Sequence, residues 1–365
     1  MVGMAAGYSA GRGGGTRLGS PGPRGRIPAP GARLVPDAGT PRRKEIERVT
    51  QEPLAAMLPD IEHRVGGLLD GRVVAAEPRG GGYTRAGSYV VRLADGRAAF
   101  VKTGAGEETA TRNLRTEAAV LAALHPQTPW APGMLAWDDD PEHPLLVLED
   151  LSGAHWPPPY PDDTTSLFAT LLEVARAPHP DGLVRLQDRG PDGATFWERV
   201  GDRTPDFLAL GLCSADWLDR ALPALAQSER AVAFAGEDLC HLDVFSGNVC
   251  FVDDRGPVLI DWATPAIGNA WVDVGFAVVS VLSEGGRLPD GLTLPGGRSI
   301  AAFLAGHNAH EVILPHPEWA RPEATLRADQ LGDLRSALPW AAFELGLAPP
   351  DGDVRPYEGP RLTVD

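Results

Sequence analysis

Apolar residues along this chain follow two different periods, and the change from one to the other marks out its architecture. Leu54, Met57, Leu58, Ile61, Val65, Leu68 and Leu69 recur at helical spacing and predict a helix over residues 52–69. From residue 72 the pattern turns β-branched or alternating, over 72–77 and again over 88–93, with a glycine-rich segment between. Asp95-Gly96 is a tight-hairpin signal, and residues 98–103 follow it as a third strand. Leu114, Ala118, Val120, Leu121 and Leu124 then give one apolar face to a helix over 109–124, ahead of two strands at 134–137 and 145–148. Past Leu151 the helical period dominates, over 164–177, 214–235, 271–282, 300–312 and 327–345. A strand–loop–strand piece over 239–262 interrupts it. The pattern predicts an α+β protein with a small, mostly antiparallel lobe at residues 49–150 and a helical lobe at 151–365.

Composition changes this picture mainly at the N-terminus. Residues 1–44 hold eleven Gly and six Pro and carry no apolar period. Such a stretch cannot bury enough surface to offset its ordering entropy. Residues 1–48 therefore read as a disordered tail, and Val49 as a natural beginning if it corresponds to an alternative start codon. The tail is basic, about +7 over residues 1–44, so the formal net charge of −16 leaves roughly −23 for the rest. An acidic body argues against a nucleic-acid partner and is compatible with a cationic small molecule. Cys213, Cys240 and Cys250 are too few for a disulfide scaffold and fit buried thiols in a reducing cytoplasm. Cys240 and Cys250 flank His241 without a C-x-x-C pair, so no zinc site is expected. No uninterrupted apolar run reaches the ~18 residues of a membrane span.

The candidate chemistry lies in the interrupting piece. His241, Asp243 and Asn248 have the H-x-D-x-x-x-x-N spacing of a kinase catalytic loop, and the apolar run Val258, Leu259, Ile260 ends in Asp261. Phosphoryl transfer from ATP needs a carboxylate to hold the attacking hydroxyl and oxygen ligands for magnesium between the phosphates. Asp243 suits the first task; Asn248 and Asp261 suit the second if a hairpin turning at residues 253–256 brings them together. Lys102 lies in the third strand, where a kinase places the lysine that holds the phosphates, and Glu117 lies in the next helix as its ion-pair partner. Gly80, Gly81 and Gly82 sit between two strands, so a loop closing over ATP phosphates fits better than a dinucleotide-binding turn, which must open a helix. The run from Leu145 into Glu149 and Leu151 reads either as a backbone that meets adenine or as a plain connection between lobes.

On Lys102, Glu117, the loop from His241 to Asn248, and Asp261, the chain resembles the aminoglycoside phosphotransferase family from about Val73 to the end of the helical lobe. The resemblance implies a bilobal protein-kinase-like fold and Mg2+-dependent transfer of the ATP γ-phosphate to a hydroxyl of a small molecule. By position it implies Asp243 as catalytic base, Asn248 and Asp261 as magnesium ligands and Lys102 as phosphate contact. Glu117 would orient Lys102, Glu149 and Leu151 would meet adenine through the main chain, and His241 would brace the loop. The sequence also departs from the family: Leu242 stands where Gly is usual, Phe245-Ser246 replace a common His-Pro, and Ala263 replaces a frequent acidic residue. Asp273 is expected to serve the start of its helix before any substrate. Glu284, Glu311 and Glu344 are acidic candidates for the acceptor site. Against a metalloprotease, His307, His310 and Glu311 lack the H-E-x-x-H order, and a surface helix is the expectation there. No G-x-S-x-G elbow suggests a serine hydrolase. The competing reading is a nucleotide-binding pseudokinase acting as a scaffold. It predicts loss of one or more of Lys102, Asp243, Asn248 and Asp261, all of which are present.

Overall fold

Strands of alternating polarity can bury two faces only when something covers each of them. The computed structural model, which describes residues 60–79, 87–104, 108–124, 128–189, 193–317 and 325–364, shows how this is done. Strands β1 (Val73–Pro78), β2 (Gly87–Leu93), β3 (Ala98–Thr103), β4 (Met134–Asp138) and β5 (Leu145–Glu149) form one antiparallel sheet in the order β1-β2-β3-β5-β4. On one face Tyr89, Val91, Ala99, Val101, Leu145 and Val147 pack against Ile61 and Val65 of a first helix, α1, helical over 60–68. The alternate residues Leu146 and Leu148 join α2 (Glu108–Ala123), through Leu114, Ala118 and Leu121, and a core continuous with the helical lobe. The tail and the glycine-rich segment at 80–86 lie outside the described residues.

The second lobe is built from α3 (Thr165–Val174), α4 (Phe196–Gly201), α5 (Thr204–Leu208), α6 (Ala215–Arg230), α7 (Trp271–Ser283), α8 (Gly297–Ile313) and α9 (Leu326–Leu345). Short strands lie among them: β6 (Asp238–Cys240) pairs with β9 (Ala266–Gly268), and β7 (Val249–Val252) pairs with β8 (Gly256–Leu259). Later, β10 (Leu294–Pro295) pairs with β11 (Thr363–Val364). The long helices match the apolar period closely. The short α4 and α5 were not expected, although Thr195 and Glu198 form a reciprocal capping box at the start of α4 whose T-x-x-E signal is legible.

One expectation is overturned. The segment of α8 carrying His307 is no surface helix: Ile300 through Ala305 are at most 1% exposed and His307 is 3% exposed. The helix is apolar all round because α4, α6, α7 and α9 surround it, which removes the one-sided period that would mark a surface helix. All three cysteines are free and buried. No helix among the described residues is long and apolar enough to cross a membrane. The architecture is α+β, a five-stranded antiparallel sheet lobe joined to a helical lobe.

Candidate active site

Alternation along β3 puts Lys102 on the sheet face that α2 covers, and α2 brings Glu117 to meet it. The Lys102 Nζ donates to both Glu117 oxygens at 2.9 Å and to Asp261 Oδ1 at 3.0 Å. The Lys102 and Glu117 side chains are 13% and 2% exposed, whereas that of Asp261 is 39% exposed. Burial works to lower the Lys102 pKa, but the Asp261 and Glu117 carboxylates outweigh it and raise it, so the ammonium is permanent. Burial alone would raise the Asp261 carboxyl, and the Lys102 charge overrides this and holds it below the usual carboxylate range. Two carboxylates thus share one ammonium, and only Asp261 keeps an open side.

Asp261 is placed by the β7–β8 hairpin. Residues 249–252 and 256–259 pair in register, Gly256 turns at φ +81°, and the Ile260 N–H donates to the Asn248 carbonyl at 2.9 Å. This returns Asp261 beside Asn248. The Asn248 amide nitrogen donates to the main-chain carbonyl and to Oδ2 of Asp243, each at 3.0 Å, leaving the amide oxygen as its remaining polar atom. The Asn248 oxygen and the Asp261 carboxylate are hard donors of the kind magnesium takes. Among the described residues no group of three or more His, Cys, Asp or Glu is arranged to hold a metal alone. Two protein oxygens completed by phosphate oxygens is the usual provision for magnesium, so the residues fit that ion.

The loop from His241 to Asn248 is held from behind. His241 Nε2 donates to the Ile260 carbonyl at 3.0 Å, and its ring meets Trp262 edge-on with centroids 4.4 Å apart. Burial pulls its pKa down to about 4, so the imidazole is neutral at physiological pH. Asp273, in the first turn of α7, accepts the backbone N–H groups of His241 at 2.5 Å and Leu242 at 2.8 Å. Its carboxyl group therefore holds the loop at His241 and Leu242, with Asp273 itself only 1% exposed and pushed up to about 7 by burial. Leu242 has φ +63°, the left-handed region where a bulky side chain is an outlier. That geometry is the reason glycine suits this position.

At the junction of the lobes, the Glu149 side chain is already engaged: Arg255 Nη1 donates to its two oxygens at 2.7 and 2.8 Å, and the Gly133 N–H donates to one of them at 2.9 Å. The Leu151 carbonyl accepts from the Ala154 N–H at 3.0 Å and from Trp156 Nε1 at 3.1 Å. Gly80, Gly81 and Gly82 fall outside the described residues.

Through Asp243 the loop lines a cavity of about 450 Å³, with Glu284, Asp329, Asp333, His307 and Asn308 among its other walls. Four lining carboxylates stand against one lining guanidinium, Arg355. Burial raises Asp333 to about 6, with neighbouring Glu284 adding to it. Of the three glutamates singled out from the sequence, only Glu284 lines this space, and Ser246 Oγ donates to it at 3.0 Å. Glu311 pairs with Arg327 at 3.2 Å. Glu344 is fully buried and accepts from the Leu362 N–H and Thr363 Oγ1 at 2.7 and 2.6 Å, which makes it part of the core. Asp329 and Asp333 were missed. They stand one turn apart on α9, and in the sequence they look like any polar pair on a helix.

A family model described as the phosphotransferase enzyme family matches residues 75–337. No curated protein matches the chain. Among solved structures, the choline kinase LicA from Streptococcus pneumoniae is 13% identical, with 76% of this chain and 99% of that one covered and a TM-score of 0.41. An aminoglycoside phosphotransferase from Alicyclobacillus acidocaldarius is 15% identical over 72% of this chain and 89% of its own, at a TM-score of 0.45. A spectinomycin phosphotransferase solved with ADP and spectinomycin is 11% identical over 76% and 93%, also at 0.45.

Proposed function

The chain belongs to the phosphotransferase enzyme family, and on that premise we propose that it is a small-molecule kinase, transferring the γ-phosphate of ATP to a hydroxyl of a small, cationic acceptor. One observation carries the reading: Lys102 and Asp261 meet 3.0 Å apart, while Asp243, in the loop from His241 to Asn248, lines a cavity whose walls include neither of them.

Lys102, held by Glu117, would contact the ATP phosphates, and Asn248 and Asp261 would hold magnesium. When bound, that ion neutralises charge on the phosphate oxygens. Asp243 would orient the acceptor hydroxyl and take its proton. The acceptor oxygen–phosphorus bond forms as the bond from the γ-phosphorus to the bridging oxygen breaks, and ADP leaves. His241 transfers no proton in this scheme; neutral and bonded to Ile260, it fixes the loop. The excess of carboxylates around the cavity supports a cationic acceptor, since an anion would meet like charge on entering.

The test separates the nucleotide part of the reading from the acceptor part. ATP turnover is screened against a library of hydroxyl-bearing amines, and the best acceptor is assayed with Asp243→Asn and Lys102→Ala. Asp243→Asn is expected to keep nucleotide binding and to lower transfer on the order of 10²–10⁴-fold. Lys102→Ala is expected to impair the nucleotide side, in affinity, turnover or both. Equal phosphorylation by wild type and Asp243→Asn would refute the mechanism. ATP binding without turnover on any acceptor would favour a scaffold protein instead.

A further inference from the structure

The turn between β7 and β8 carries an arginine that reaches out of its own lobe. Arg255 Nε donates to the Pro129 carbonyl at 3.0 Å and Nη2 to the Ala131 carbonyl at 2.9 Å. Its Nη1 donates to both oxygens of Glu149 at 2.7 and 2.8 Å. Glu149 Oε1 in turn accepts the Gly133 N–H at 2.9 Å, so the carboxylate also holds the segment leading into β4. Both side chains are 28% exposed. An isolated ion pair at that exposure would contribute little. Here a planar guanidinium spends three nitrogens on two parts of the chain, the segment 129–131 and Glu149, in a fork that lysine cannot reproduce.

What the clamp joins gives it meaning. The hairpin on which Arg255 sits has Asn248 and Asp261 beside its two ends. Glu149 is the last residue of β5, where the chain leaves the sheet for the helical lobe. Two weaker ties run alongside: the Leu259 N–H donates to the Trp130 carbonyl at 2.9 Å, and His155 and Phe251 exchange backbone hydrogen bonds at 2.9 and 2.8 Å. Arg255 is the side chain that links the hairpin directly to the strand end.

We propose that Arg255 is a positioning residue that sets the distance between the backbone meeting adenine, at Glu149–Leu151, and the hairpin bearing the magnesium ligands. This rests on the ATP reading above. A nucleotide held at both ends behaves as a bivalent ligand: the first contact raises the effective concentration of the second only if the two contact points are correctly spaced. Arg255 fixes that spacing. Without it each end still binds locally, and the mutual reinforcement is lost. Glu149 then contributes through Arg255 and Gly133 with its side chain, apart from whatever its main chain does.

Calorimetric titration of the full chain distinguishes this from a general structural role. Two probes are used: adenosine, which reaches only the adenine end, and the magnesium complex of the β,γ-methylene analogue of ATP, which spans both. In Arg255→Met the adenosine Kd is expected to stay near the wild-type value. The affinity advantage of the magnesium analogue over adenosine is expected to fall roughly tenfold or more, and Arg255→Lys should lie between the two. An unchanged advantage in a folded Arg255→Met protein overturns the proposal. So does a proportional loss of both ligands, which a merely structural arginine would give. If Arg255→Met does not fold, Glu149→Gln removes the charge that Nη1 pairs with, and the same ratio decides in the same way. A wild type that binds neither probe overturns the ATP reading itself, and the proposal falls with it.

Discussion

Leu242 carries the clearest conflict between a residue and its backbone. Its φ of +63° places Cβ against the following carbonyl, yet its side chain is 2% exposed and packed in the core. The left-handed conformation costs about 1–2 kcal/mol for a residue with a Cβ. Burying a leucine recovers more than this, and the two N–H bonds to Asp273 hold the backbone in place. The account makes an unusual prediction. Leu242→Ala keeps the strain and loses the packing, whereas Leu242→Gly loses both. The glycine variant should therefore be the more stable of the two by about 1 kcal/mol, the reverse of the usual order. Urea denaturation of both proteins measures this, and an alanine variant of equal or greater stability would remove strain from the explanation. Asp261 shares the same φ of +63°. There the turn sends the carboxylate toward Lys102 and not along the strand.

Among the elements, α8 shows what burial does to chemistry. His307 is 3% exposed on this helix, its Nδ1 has no hydrogen-bond partner among the described residues, and burial pulls its pKa down to about 4 against the opposing charge of Glu311. The unfolded chain binds a proton at His307 below about 6.5, and the folded chain refuses it until about 4. Stability supplied by this residue is thus full above pH 6.5 and is lost as pH falls toward 4. At pH 5 the loss amounts to roughly 2 kcal/mol from one site. His307→Gln removes the titration, so the difference in urea stability between pH 7 and pH 5 should shrink by about that amount. An unchanged pH dependence would show that His307 takes up its proton in the folded state. The short α4 makes a related point about buried charge. Glu229 of α6 caps it by accepting the Phe196 and Trp197 N–H groups at 2.7 and 3.0 Å, and burial raises this carboxyl to about 7.

Over the whole molecule, the acidic charge belongs to residues beyond 44 and the basic charge to those before. Because residues 1–44 lack any apolar period, deleting them should leave the melting temperature and ATP affinity essentially unchanged. A clear drop in either, by thermal denaturation and nucleotide titration, would show that the tail docks on the body. The sequence by itself determined the element order, because each long helix and strand writes its own period: Leu114, Ala118 and Leu121 on α2, or Tyr89 and Val91 on β2. It also made the loop from His241 to Asn248 and the hairpin leading to Asp261 legible, since both are written as spacing within one short segment. Only the tertiary structure decided which acids line the cavity, separating Glu284 from the core residue Glu344. It likewise turned Asp273 toward the backbone of His241 and Leu242, buried α8, and tied Arg255 to Glu149 across 106 positions of chain. Such contacts leave no period and no motif, because what a polar side chain does depends on what long-range packing brings within three ångströms of it.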